Sequence, residues 1–381
     1  MAHEAGVAFI ATEGNKFLDK YVGVGANRIH EIFRTARKYA PAILFIDEID
    51  AIGRERKGVG EGSGDTHADI LTALLAEMDG FVNDPKRPVF VLAATNFDIT
   101  PGTPKSLDEA LMRRFDRLIY VDLPDSKARL KFLQMKTKGK IFNVTEKGLE
   151  GIASRSFGMS LAKLDSVLEL AMRNAMMAGK TKVTDDVLEE AFEIYRSGDE
   201  KKWDSSLIER VARHESGHAF LCWLSGETPS YLTIVARGNH GGYMQHADNE
   251  GKYLSTRDEL LANIRTSLGG RAAEIVYYGK DNGISTGASG DLASATAIAE
   301  HIICDYGMSD EFGLAVISPA ARHSGDLSVS IRSKVNEILR EQMEKTVEII
   351  TQNRAKMDRL VETLLAKNSL NAHEIEAILK D

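Results

Sequence analysis

Two histidines four residues apart flank a glutamate in the segment His214-Glu215-Ser216-Gly217-His218. On a helix, residues at this spacing share one face, so both imidazoles can bind a single metal ion. A catalytic zinc ion takes three protein ligands and keeps a fourth position for water. Glu215 lies between the two histidines and can accept the proton of that water as a general base. The segment therefore predicts the core of a zinc hydrolase site.

Two acidic residues compete to be the third zinc ligand. Glu274 lies on a second predicted helix, and Asp291 stands at the start of a third, after the segment 285–290. Either carboxylate has the chemistry of a zinc ligand. The spacing from His218 does not decide between them.

A second set of residues suits nucleotide chemistry. The apolar run 43–46 ends in Asp47 and Glu48. In nucleotide hydrolases such a pair lets the first acid hold Mg²⁺ while the second orients the attacking water. Asn96 follows the next apolar run, 89–93, and its amide can position the same water.

Two adjacent arginines, Arg113 and Arg114, come after these runs. An arginine offered to the nucleotide of a neighbouring subunit stabilises charge in the transition state of phosphoryl transfer. Isolated surface arginines are commonly only solvated, so this interpretation depends on the other motifs.

The elements that must position these residues fall into three predicted domains. Residues 1–125 alternate apolar strand-like runs (7–11, 43–46, 89–93 and 118–121) with amphipathic helical segments, which predicts a parallel α/β sheet. The runs 43–46 and 89–93 are continuous enough to predict strands buried on both faces. Residues 126–198 show only helical periodicity. Residues 199–381 are mainly helical with one strand-rich insert, 232–244, so the fold class is multidomain α/β plus all-α.

Composition limits the classes of function. The 381-residue chain carries a net charge of −8, which argues against general nucleic-acid binding. Its two cysteines, Cys222 and Cys304, provide no disulfide framework and favour a reducing compartment. Cys222 follows His218 by one helical turn, and we interpret it as a small core residue rather than a ligand.

The order of these motifs resembles the FtsH-type AAA proteases over nearly the whole chain. The resemblance implies that Asp291 is the third zinc ligand, and Glu274 then becomes a residue that orients a histidine. It also implies that Asp47 and Glu48 are the Walker B acids and that Asn96 is the sensor residue.

Two further expectations follow from the same resemblance. Tyr21-Val22-Gly23 is similar to the pore loop that grips unfolded substrate. Arg113 and Arg114 resemble the paired arginine fingers. The usual Pro-Gly between those arginines is absent here, so the sequence does not say which of the two reaches a neighbouring subunit.

The G-x-x-x-x-G-K-[ST] pattern of a phosphate loop occurs nowhere in the 381 residues. The resemblance places the family's loop just before the first residue, together with a strand that lies between those ending near Asn96 and starting near Leu118. We expect a chain that starts too late, through a truncated gene or an internal start codon, with a natural dead motor as the alternative. In either case we expect no ATP hydrolysis by the chain as written.

The resemblance implies a processive, ATP-dependent zinc endopeptidase that degrades unfolded or membrane proteins, with Zn²⁺, ATP and Mg²⁺ as cofactors. It implies a homo-hexamer or a mixed ring, and membrane helices upstream that place these domains on the cytoplasmic side or in an organelle's matrix or stroma. As written, the chain is expected in the cytoplasm. An ATP-independent zinc peptidase and a non-catalytic subunit of a mixed ring remain alternatives.

Overall fold

The computed structural model describes residues 5–18, 23–53, 64–80, 87–97, 107–139, 141–201, 204–238, 241–246, 254–281, 283–323 and 325–380. The chain forms two compact units, Met1–Val121 and Asp122–Asp381. A parallel α/β unit followed by a largely helical one confirms the predicted fold class. The finer division into 1–125, 126–198 and 199–381 stays a prediction.

Three parallel strands form the sheet of the first unit. β1 (Ala8–Glu13), β2 (Ala42–Asp47) and β3 (Val89–Ala93) lie in the order β1-β2-β3, with Ala42 opposite Val89. Because β2 and β3 are parallel neighbours, the residues that follow them meet at the same edge of the sheet.

Four described helices accompany this sheet: α1 (Val24–Lys38), α2 (Asp50–Gly53), α3 (Gly64–Asp79) and α4 (Glu109–Met112). The unit's core joins one face of the sheet to these helices through the buried side chains of Phe17, Ile29, Phe33, Leu44, Ile46, Leu74 and Leu111.

The described residues of this unit leave the opposite face of the sheet open. Phe9 and Phe90 are 54% and 63% exposed. In β2 only alternate side chains, such as Leu44 and Ile46, are fully buried. The prediction of strands buried on both faces is therefore wrong here, because the core side chains of the unit lie on one face only.

The predicted strand at 118–121 is also wrong. Leu118 to Val121 is irregular, and its side chains are between 52% and 87% exposed. A strand requires a neighbour for its backbone hydrogen bonds, and within the described residues no strand pairs with this segment.

The second unit opens with a helical region around its own core. Its helices are α5 (Ser126–Thr137), α6 (Glu146–Arg155), α7 (Leu161–Met177) and α8 (Asp185–Ser197). Two parallel two-residue strands, β4 (Phe142–Asn143) and β5 (Val183–Thr184), lie between them and were not expected from the helical pattern.

The rest of the second unit is mainly helical. Its elements are α9 (Ser205–Leu224), β6 (Pro229–Thr233), β7 (Tyr243–His246), α10 (Arg257–Tyr278), α11 (Ser289–Cys304), α12 (Gly325–Gln352), α13 (Arg354–Lys367), β8 (Ser369–Asn371) and α14 (Ala372–Lys380). The strands form an antiparallel sheet in the order β7-β6-β8, so β7 is an edge strand. The described helices include none that is long and apolar enough to span a bilayer.

Candidate active site

The two histidines lie on α9, which packs closely against α10. A Cβ atom at Gly217 would stand 2.3 Å from the carbonyl oxygen of Gly269, and one at Gly269 would stand 2.6 Å from that of Gly217. Only glycine at both positions lets the two backbones approach this closely. The close contact brings His214 and His218 against the backbone and side chains of α10.

Asp291, in the first turn of α11, faces both histidines. Its Oδ2 lies 3.1 Å from Nε2 of His214 and 3.4 Å from Nε2 of His218. The two imidazole rings are 4.9 Å apart between centroids and nearly perpendicular. Two nitrogens and one oxygen therefore converge from two helices, all within 4.8 Å of one another.

The other ring nitrogens have separate partners on α10. Nδ1 of His218 lies 2.7 Å from the carbonyl oxygen of Thr266. Since a carbonyl oxygen only accepts, Nδ1 carries a proton, and in the neutral ring the lone pair of His218 is on Nε2. Nδ1 of His214 lies 3.5 Å from Oε1 of Glu274. Glu274 in turn accepts a hydrogen bond from the backbone N–H of Ser285, 3.0 Å from its Oε2.

The histidines and carboxylates of this site stabilise one another's charged forms. Burial lowers the pKa of His214, but Asp291 and Glu274 outweigh it and raise that pKa to about 9. Burial raises the pKa of Glu274, but His214 and Ser285 hold it at about 2. The two histidines likewise hold the pKa of Asp291 well below its usual range despite burial. Both carboxylates are therefore ionised, as ligands and partners of a cation must be.

Glu215 points into a cavity of about 770 Å³ beside the three converging atoms. Burial raises the pKa of Glu215, while His218, His214 and the backbone of Met244 in β7 act in the opposite direction. A raised carboxyl pKa suits a general base that works near neutral pH.

The donor set fits zinc. Two imidazole nitrogens and one carboxylate oxygen leave a tetrahedral ion one position for water. The second nitrogen of each histidine is oriented by an oxygen of α10, which is the usual arrangement around a catalytic zinc ion.

In the first unit, the structure places Asp47 and Glu48 at the end of β2. Glu48 has a φ of 49°, the left-handed region that residues other than glycine rarely adopt. Its Oε2 accepts from Asn15 Nδ2 at 2.7 Å, and Asp47 Oδ1 accepts from the Glu48 N–H at 2.9 Å. Asn96 is exposed just after β3, at the same edge of the sheet.

The two adjacent arginines have different surroundings. Arg114 holds Asp79 on α3 with two nitrogens, its Nε lying 2.8 Å from Asp79 Oδ1, and its side chain is 28% exposed. Arg113 directly follows the short helix α4 and pairs with Glu109 at the start of that helix, and its side chain is 74% exposed. The structure brings neither arginine to the acids of β2.

The predicted pore loop falls mostly outside the described residues. Tyr21 and Val22 are not among them. Gly23, which is, precedes α1 with a φ of 83°, a left-handed conformation that glycine adopts without strain.

Several residues that shape the proposed metal centre were not predicted from the sequence. The carbonyl of Thr266, the backbone of Ser285 and the absence of a side chain at Gly270 all shape it. A Cβ at Gly270 would stand 2.3 Å from Nε2 of His214. The paired glycines 269 and 270 inside a helix were the available signal, because mid-helix glycine is costly without a packing reason.

Comparisons with known proteins fit the two parts of the chain. Residues 1–123 match the model of the ATPase family associated with various cellular activities (AAA), and residues 203–378 match that of peptidase family M41. The ATP-dependent zinc metalloprotease FtsH of Thermotoga maritima is 37% identical over 405 aligned residues, which cover the whole chain and 64% of that protein. The Bacillus subtilis FtsH is 36% identical, covering 99% of the chain and 61% of that protein.

A match to the AAA family and a match to peptidase family M41 in one polypeptide define the class as an AAA-type metalloprotease. The chain belongs to the FtsH-type family of zinc metalloproteases. It spans less than two thirds of the length of these curated relatives.

Proposed function

We propose that this chain is a zinc endopeptidase that cleaves unfolded polypeptides and works in an ATP-driven ring. The observation that carries the proposal is the convergence of His214, His218 and Asp291 beside Glu215 at an open cavity. The family membership supports it.

The proposed chemistry rests on the side chains around the cavity. His214, His218 and Asp291 would hold Zn²⁺, which supplies a Lewis acid for the scissile carbonyl and an acidified water. Glu215 accepts the proton of that water and passes it to the leaving amine. Thr266 and Glu274 keep the two imidazoles oriented, so their Nε2 atoms stay directed at one point.

The edge strand β7 is the proposed binding surface for the substrate backbone. It borders the cavity through Tyr243 and Met244, and among the described residues it pairs with one strand, β6. An extended peptide can pair with such an edge through main-chain hydrogen bonds, which accept many side-chain sequences. This mode suits a peptidase with broad tolerance for unfolded chains.

Where a phosphate loop completes the nucleotide site, we propose that Asp47 holds Mg²⁺, that Glu48 and Asn96 position the attacking water, and that Arg113 is the finger offered to a neighbour. The exposed end of β2 and the exposure of Arg113 support these roles. Arg114 suits the finger role less well because Asp79 already holds its guanidinium. Assembly as a hexamer, and anchoring in a membrane through other segments, are proposed from family membership.

Hydrolysis of unfolded casein by the purified, zinc-loaded chain tests the proposal. We expect Glu215→Gln to lower the rate by about 10²–10⁴-fold, the usual contribution of a general base, while bound zinc is unchanged. Glu209→Gln is the matched control, since Glu209 lies on the same helix, is exposed and pairs only with neighbouring Arg213 in the contacts described. Equal rates for the Glu215→Gln variant and the wild type would refute the peptidase role.

A further inference from the structure

A cysteine, a glutamate and a histidine converge at the far end of the zinc helix. Cys222 lies in the last turn of α9, Glu227 follows the turn that ends this helix, and His246 is the last residue of β7. Sγ of Cys222 lies 3.4 Å from Nδ1 of His246, and Oε2 of Glu227 lies 3.3 Å from the same nitrogen. All three atoms lie within 4.8 Å of one another.

The backbone fixes all three residues in place. The N–H of Glu227 donates to the carbonyl of Cys222 at 3.2 Å, across Gly226 with its left-handed φ of 84°. The hydroxyl of Ser230 donates to the carbonyl of His246 at 2.9 Å. The cluster therefore joins two elements that are already held together, which limits the ordering cost of binding a ligand.

The spacing matches a tetrahedral metal ion. With zinc–sulfur bonds near 2.3 Å and zinc–nitrogen or zinc–oxygen bonds near 2.0–2.1 Å, neighbouring ligand atoms are about 3.3–3.6 Å apart. Both measured distances, 3.4 Å and 3.3 Å, agree with this geometry. Cys304, the other cysteine, belongs to no such cluster among the described residues.

We propose that Cys222, Glu227 and His246 form a second zinc site, with water as the fourth ligand. Binding forms a sulfur–zinc bond, and the proton of the Cys222 thiol passes to solvent. The ion reaches the site from the side of His246, whose side chain is 47% exposed. A bound ion would fasten the end of β7 to the end of α9. This inference does not depend on peptidase activity.

Titration of the metal-depleted, full 381-residue chain with Co²⁺ tests the proposal. A thiolate bound to Co²⁺ gives a sulfur-to-metal charge-transfer absorption, which a centre of two histidines and an aspartate cannot give. We expect this band in the wild type and a stoichiometry of two ions per chain. Cys222→Ser and His246→Gln are each expected to abolish the band and reduce the stoichiometry to one.

Two variants are matched controls. Cys304→Ser removes the other buried thiol, and Asp291→Ala disrupts the first centre, and both are expected to keep the band. Circular dichroism checks that each variant is folded, and His246 is exposed enough that its replacement leaves the core intact. Absence of the band in the wild type, or its persistence in either Cys222→Ser or His246→Gln, would overturn the proposal.

Discussion

Each histidine of the metal centre uses its two ring nitrogens for different purposes. The Nε2 atoms of His214 and His218 face Asp291, while the Nδ1 atoms face Glu274 and Thr266 on α10. The structure thus gives the two competing acids distinct positions. This arrangement supports the proposal that Asp291 is the third metal ligand and that Glu274 orients His214.

Gly270 allows a test of how His214 is positioned. Replacement by alanine places a Cβ 2.3 Å from Nε2 of His214, so the imidazole must move away from its partner ligands. We expect Gly270→Ala to weaken zinc binding by about 10-fold or more, comparable to the loss of a ligand-orienting partner. Competition with a chromophoric chelator measures the affinity, in a Cys222→Ser background that removes the second proposed site.

Gly151 provides the matched control for this substitution. It lies within helix α6, and a Cβ there would meet nothing within 4 Å. Gly151→Ala should leave zinc affinity unchanged and stabilise the fold by about 0.5–1 kcal/mol. Equal zinc affinity in the Gly270→Ala and Gly151→Ala variants would show that the close approach at Gly270 does not position His214.

At the scale of elements, the helical region 126–198 holds the edge strand β7. The hydroxyl of Tyr243 donates to Glu193 Oε2 at 2.6 Å, and Gln245 Nε2 donates to the carbonyl of Arg155 at 2.9 Å. The buried guanidinium of Arg155 lies 4.0 Å from the ring centroid of Tyr231 in β6. Contacts from α6 and α8 therefore reach the strand that borders the cavity.

The hydroxyl of Tyr243 tests this connection. Burial raises the pKa of Glu193, while Arg155 and Tyr243 act in the opposite direction. Loss of either partner therefore leaves the buried carboxyl group less well stabilised. We expect Tyr243→Phe to reduce the free energy of unfolding by about 1–3 kcal/mol, the usual cost of a buried group left without a donor. Urea denaturation measures the change.

Tyr195 serves as the control, because it lies on the same helix as Glu193 and is 39% exposed. Tyr195→Phe should change the free energy of unfolding by less than about 0.5 kcal/mol. If Tyr243→Phe lowers the free energy of unfolding no more than Tyr195→Phe does, the hydrogen bond from Tyr243 to Glu193 does not stabilise the fold.

The sequence predicted the local parts of the site and missed those that depend on packing across the chain. The spacing of His214, Glu215 and His218 is decided by one helix, so it could be read directly. The choice between Asp291 and Glu274 depends on how α10 and α11 lie against α9, which spacing along the chain does not contain. Cys222 was correctly expected in the core, but its proximity to His246 depends on the long-range position of β7.

The wrong prediction of a strand at 118–121 also arises because long-range contacts are not contained in the local sequence. Its apolar residues have the composition of a strand, but a strand forms only where a neighbour accepts its backbone hydrogen bonds. Composition predicts the tendency of a segment to form a strand, but the strand forms only if a neighbouring strand pairs with it.

For the molecule as a whole, the largest proposal is that proteolysis is coupled to ATP hydrolysis. The acids at the end of β2 are present, while the 381 residues contain no phosphate-loop motif. The prediction made from the sequence stays a prediction: the purified chain hydrolyses no ATP above a Glu48→Gln control. A phosphate-release assay measures this, and turnover well above that control would contradict it.

A folded substrate separates the complete motor protease from an ATP-independent peptidase. If the chain acts alone as a peptidase, ATP should not change casein hydrolysis, and a stably folded substrate should resist cleavage with or without ATP. Cleavage of the folded substrate only with ATP would show instead that the motor functions in this chain. Comparison of both substrates, each with and without ATP, distinguishes the two cases.

The proposed zinc ligands are His214, His218 and Asp291, and Glu274 is proposed to orient His214. The most direct test is the zinc content of two variants after gel filtration, Asp291→Ala and Glu274→Ala, both in the Cys222→Ser background. We expect Asp291→Ala to retain almost no zinc, whereas Glu274→Ala should retain most of it with an affinity lowered by about 10–100-fold. Full zinc content in Asp291→Ala, together with its loss in Glu274→Ala, would show that Glu274 and not Asp291 is the ligand.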